Sequence, residues 1–102
     1  MGFFDRLQDF GDREQVRTSI MKIDIGIQQI EQTTSLPDIK GISWSVREEV
    51  GYMQMLTSKL TAESLGCLDV KFRGRKIPYY SFLIELKEKS DEIVKRGGFP
   101  IV

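Results

Sequence analysis

The chain has 102 residues, no net charge, and 40% hydrophobic against 29% charged side chains, which admits one small core and excludes a second independent one. A single cysteine and no histidine exclude an internal disulfide and a cysteine-rich zinc site, and remove the imidazole on which most acid–base catalysis and transition-metal binding relies. Overall neutrality argues against a dedicated DNA binder, which is basic throughout its domain.

The charges are unevenly spread. Residues 1–66 carry 7 basic and 10 acidic side chains, and residues 67–102 carry 8 basic and 5 acidic, an asymmetry that can orient contacts between copies or attract an anion. No uncharged stretch approaches the roughly 20 apolar residues of a membrane span. Asp5 and Arg6 interrupt the apolar opening before a signal-peptide core can form. One thiol and no asparagine, hence no N-glycosylation acceptor, fit a cytoplasmic protein or one held within an intracellular assembly.

The opening "MGFFDRLQDFGDR" places Phe3, Phe4, Leu7 and Phe10 on one side of a short helix that Gly11 is expected to end. Asp12 then reads as the cap of a second helix, with Gln15 as its capping-box partner. Val16, Ile20, Ile23, Ile27 and Ile30 step by 4, 3, 4 and 3, the seam of a packed helix. Within it "IDIGI" also alternates like a strand, so 22–27 stays open between helix and strand.

"TTSLPDIKG" (33–41) reads as a loop around Pro37 and Gly41. Ser45 and Glu48 form a capping box for a third helix, which buries Val46, Val50, Met53, Leu56 and Leu60 and stops at Leu65–Gly66. Leu68, Val70 and Phe72 alternate before a turn through Arg73–Gly74–Arg75, a hairpin or extended loop. Pro78 opens the last helix. It buries Tyr79, Leu83, Leu86, Ser90 and Ile93, sets Glu85–Lys89, Asp91–Lys95 and Glu92–Arg96 on its wet face, and ends at Gly97–Gly98.

The expected fold is therefore mainly α: a small helical bundle in one domain, 1–102, with a short N-terminal helix, three longer helices and a short β-hairpin or extended loop around 67–77. Gly26 and Gly51 fall inside helices, and at least one is expected to face a neighbouring backbone. Trp44 is expected to plug the core, with interface anchoring as the alternative for it and for Tyr52.

No catalytic, cofactor or metal site is expected. Glu48–Glu49 and Asp91–Glu92 diverge on a helix, and no glycine loop cradles a phosphate. The function read from the residues is a non-enzymatic protein-interaction or assembly role. It buries the isoleucine seam and the apolar ends against copies of the chain or another protein, through Phe3, Phe4, Leu7, Phe10, Phe99, Ile101 and Val102. The alternative is nucleic-acid or anion binding by the hairpin, with Lys71, Arg73, Arg75 and Lys76 on phosphates and Phe72, Tyr79 and Tyr80 stacking on bases. Two weaker readings use the N-terminus. Attachment of Phe3, Phe4, Leu7 and Phe10 to a membrane lacks the basic polar face it needs, and N-myristoylation of Gly2 meets Arg6 where serine or threonine is required.

Overall fold

A computed structural model of the chain describes residues 3–102, with side chains from Gln8 onward. The described residues are mainly helical: α1 (Phe3–Gln32), α2 (Leu36–Thr57), α3 (Ala62–Gly66), the hairpin strands β1 (Asp69–Phe72) and β2 (Arg75–Pro78), and α4 (Tyr79–Lys95). The proportions differ from the expected short helix plus three long ones. Two long helices are followed by a five-residue helix, the hairpin and a helix of 17 residues.

The first two expected helices are one, so residues 22–27 are helical and Asp12 is not a cap. Glycine in a helix interior costs only about 1 kcal/mol, and side chains span Gly11 on both sides. Gln8 Nε2 donates to Asp12 Oδ1 over 3.3 Å, and Asp9 pairs with Arg13 at 3.9 Å. The short α3 region adds two ties, Ser64 Oγ to Asp9 Oδ1 at 2.9 Å and Arg13 Nη2 to the Cys67 carbonyl at 3.4 Å. Propagation past a single glycine is cheaper than giving these up.

The second correction concerns 33–41. Pro37 stands in the first turn of α2, where a missing N–H costs nothing. Ser35 is the N-cap, its hydroxyl accepting the Asp38 N–H. Gly41 and the Ser45–Glu48 pair lie inside the helix. α2 also ends earlier than Leu65–Gly66, at Thr57. There the Thr57 and Ser58 hydroxyls bond back to the Gln54 and Met55 carbonyls at 3.0 and 2.6 Å, the competition that disfavours helix interiors. Thr61 then caps α3.

The hairpin forms as expected, with Val70 opposite Ile77 and Lys71 opposite Lys76. Arg73 and Gly74 both take positive φ, 57° and 78°, the two-residue turn whose twist matches the strands. Val70 and Phe72 point inward, and Phe72 meets Phe82 edge-on at 5.0 Å.

The core is one cluster in which the whole isoleucine seam is covered by the chain itself. Val16, Ile20, Ile23, Ile27 and Ile30 pack with Ile39, Val46, Val50, Met53 and Leu56 of α2, Leu68, Val70 and Phe72 of the hairpin segment, and Phe82, Leu86 and Ile93 of α4. The expectation that this seam needs a partner is overturned. On α4 the buried set is Tyr79, Phe82, Leu86, Ser90 and Ile93, with Leu83 half-buried. Its wet face is paired as Lys87–Asp91 and Lys89–Glu92, not as expected.

No described helix is long and apolar enough to cross a membrane.

Candidate functional site

Three regions collect the predicted site residues: the hairpin, the surface where the closing segment 97–102 lies on α2, and the start of α1.

At the hairpin the inward strand face is spent on the core. Phe72 is fully buried and Tyr79 nearly so, which removes both from base stacking. Burial pushes the Tyr79 phenol above its ordinary range, since charge on it would be desolvated. Two of the four cations are committed within the chain. The Arg73 guanidinium pairs with Glu31 at the end of α1, and the Arg73 N–H donates to Asp24 Oδ2 over 3.2 Å. Arg75 pairs with Glu85. Lys89 joins Glu31 from α4 at 3.2 Å and Glu92 at 3.1 Å.

The half-exposed Glu31 carboxyl is raised by burial, but hydrogen bonds and charge from Arg73 and Lys89 outweigh that and hold it below its ordinary value. Burial lowers Lys89, and the bonds and charges of Glu92 and Glu31 raise it further, above its ordinary value. Part of the charge asymmetry between the halves is thus neutralised inside the molecule. Lys71, Lys76 and Tyr80 are the exposed remainder, and neither lysine has an ion pair among the described residues.

The closing segment is built into the fold. It runs along the seam between α2 and α4, its backbone received by two buried serines. Ser43 Oγ accepts the Phe99 N–H at 2.9 Å and donates to the Lys40 carbonyl. Ser90 Oγ accepts the Ile101 and Val102 N–H groups at 2.9 and 3.3 Å. Arg47 Nη1 donates to the Pro100 carbonyl over 3.2 Å. Ile101 is 1% exposed, so its expected role at an interface is overturned: it anchors the segment to its own core.

Phe99 and Val102 stay 40% and 45% exposed. Phe99 stands edge-on to Trp44 with ring centroids 5.4 Å apart, and the Arg47 guanidinium lies 5.8 Å from the Trp44 ring. Trp44 is half exposed, which overturns its reading as a core plug, and Tyr52 is half exposed as well. Val102, Arg47, Gly51 and Gln54 line a shallow hollow beside this group. The result is an aromatic and cationic patch on a hydrogen-bonded platform.

On α1, Phe10 is 63% exposed, while the side chains of Phe3, Phe4 and Leu7 lie outside the described residues, as does Gly2. Sequence reasoning missed Met21 and Ile25, also exposed on α1. Their signal, the 4 and 3 spacing that continues from Phe10, was hidden by reading Gly11 as a stop. No group of three or more potential metal ligands occurs among the described residues.

Comparison with protein-family models, with curated proteins and with solved structures finds no match for this chain.

Proposed function

We propose that the chain is a single helical domain, a small bundle, that acts without catalysis as a protein-interaction or assembly element. The observation that carries this is the Trp44–Phe99–Arg47 group. Trp, aromatic neighbours and Arg are the residue types that dominate binding hot spots. Here Trp44 and Phe99 are about half exposed and packed edge-on, one on α2 and the other on backbone received by Ser43, which limits the freedom still to be lost on binding. Leu36 extends the patch, with Cδ1 beside Gly97.

Hydroxyl-radical footprinting tests the reading, comparing the purified chain with the chain inside the cells that make it. Trp44 and Phe99 are expected to be protected in the cell while Ile84, more open still on α4, is labelled in both settings. Equal labelling of Trp44 in both settings contradicts the reading.

The alternative, nucleic-acid binding, retains Lys71, Lys76 and Tyr80 as exposed groups on one hairpin and the start of α4. It predicts an affinity that falls steeply with salt.

A further inference from the structure

The continuity of α1 gives that helix two apolar faces. One is the buried seam. The other runs along the opposite side, at steps of 4, 3, 4 and 4, through Phe10, Glu14, Arg17, Met21 and Ile25. Phe10, Met21 and Ile25 are 63%, 54% and 50% exposed, and Glu14 and Arg17 form an ion pair between them. In the sequence, Phe3 and Leu7 continue the same spacing toward the N-terminus.

We propose that this outer face binds the same face of a second copy, with the two α1 helices antiparallel. The order of residues along the stripe selects that occupant. A two-fold axis at the level of residues 15–16 brings position i of one copy level with about position 31 − i of the other. Phe10 then meets Met21, and Glu14 meets Arg17, twice over. Phe10 and Met21 cover one another on either side of the axis, and the central charges alternate in a four-membered ring. A parallel arrangement in register sets Glu14 on Glu14 and Arg17 on Arg17, a like-charge repulsion.

Arg17 has donors to spare. Its Nε donates to the Asp69 carbonyl at 3.1 Å and its Nη1 to Glu14, while Nη2 has no acceptor among the described residues. The arrangement is isologous, so it closes as a dimer and does not propagate. It deepens the interaction reading and rests on it, but uses a different helix from the Trp44 patch.

Sedimentation equilibrium of the full chain across the micromolar range is the first test. A reversible dimer is expected, and Phe10→Glu and Met21→Glu should each weaken it about tenfold or more. Ile84→Glu, on exposed α4 surface, should leave it unchanged. Circular dichroism confirms folding, and two variants are used so that one that unfolds does not decide the matter.

Oxidative cross-linking in a Cys67→Ser background tests the register. Phe10→Cys and Met21→Cys chains should form disulfides when mixed and not alone, because like positions lie about 16 Å apart along the axis. A monomer at every concentration, a dimer indifferent to both glutamate variants, or self-linking of Met21→Cys overturns the proposal. If the chain is monomeric while Trp44 is protected in the cell, this proposal alone fails. If the dimer forms while Trp44 is labelled equally in both settings, the patch reading alone fails.

Discussion

Val46 of α2 packs its Cγ2 methyl into the space that a side chain on Gly26 of α1 would need. This contact is a close approach of the two long helices, and it explains a glycine in the middle of a buried helix face. Valine is stiff at χ1 and cannot swing aside. Gly26→Ala should therefore lower stability by about 1–3 kcal/mol through overpacking. Among the described residues nothing lies within 4 Å of where a Cβ on Gly51 would stand, so Gly51→Ala should raise stability by about 0.4–1 kcal/mol. Urea unfolding of both variants checks the pair.

Glu31, Arg73 and Lys89 join the end of α1, the hairpin tip and α4, and their contribution depends on pH. Glu31 titrates below its ordinary value in the fold, so its share of stability is present above the unfolded carboxylate range, near pH 4.5, and fades as pH falls through the folded value. Lys89 and Tyr79 titrate above their ordinary values of 10.5 and 10.0. Their shares hold below pH 10 and fade as pH rises through the folded values. The stability profile should be flat between these limits. Glu31→Gln should lower the plateau by only about 0.5–1 kcal/mol, since the pair is partly exposed and screened, and should flatten the acid limb. Thermal melts from pH 3 to 11, a span of about eight units, provide the check.

Ser90 receives two backbone N–H groups from the closing segment. Ser90→Ala leaves the buried Ile101 N–H without a partner and should cost about 1–3 kcal/mol. Ile101→Ala should cost about 2–5 kcal/mol as a core truncation. Both should speed amide exchange at residues 99–102 well before exchange at the centre of α1 changes, a contrast that mass spectrometry resolves.

The hairpin supplies a discriminating prediction. With Arg73 and Arg75 engaged by Glu31 and Glu85, a labelled oligonucleotide should show no saturable change in anisotropy with the chain at micromolar concentration and physiological salt. Saturable binding that is lost in Lys71→Glu/Lys76→Glu would replace the interaction reading by the alternative.

Much of this architecture was legible. The apolar steps of α1, α2 and α4 named the buried residues almost one for one, because burial of a helix face is written in its period. The alternation of Leu68, Val70 and Phe72 before Arg73–Gly74 marked the hairpin. Boundaries were misread wherever a local signal competed with tertiary contact. Gly11 looks like a stop until Gln8–Asp12 and Ser64–Asp9 are seen, and Pro37 breaks a helix only when it is not in the first turn. The surface was the least legible. Whether Trp44 plugs the core or faces water depends on Phe99, 55 residues away, and no local pattern carries that. Ile101 was misassigned for the same reason: the buried hydroxyls of Ser43 and Ser90 that receive its segment declare themselves only when the closing segment is laid between α2 and α4.

The most direct measurement of the central claim is site-specific photo-cross-linking in the cells that make the protein, with p-benzoylphenylalanine in place of Trp44 and, as control, in place of Ile84. The account predicts a discrete cross-linked protein species at position 44 and none at 84. Absence of an adduct at 44, or the same diffuse products at both positions, would contradict it.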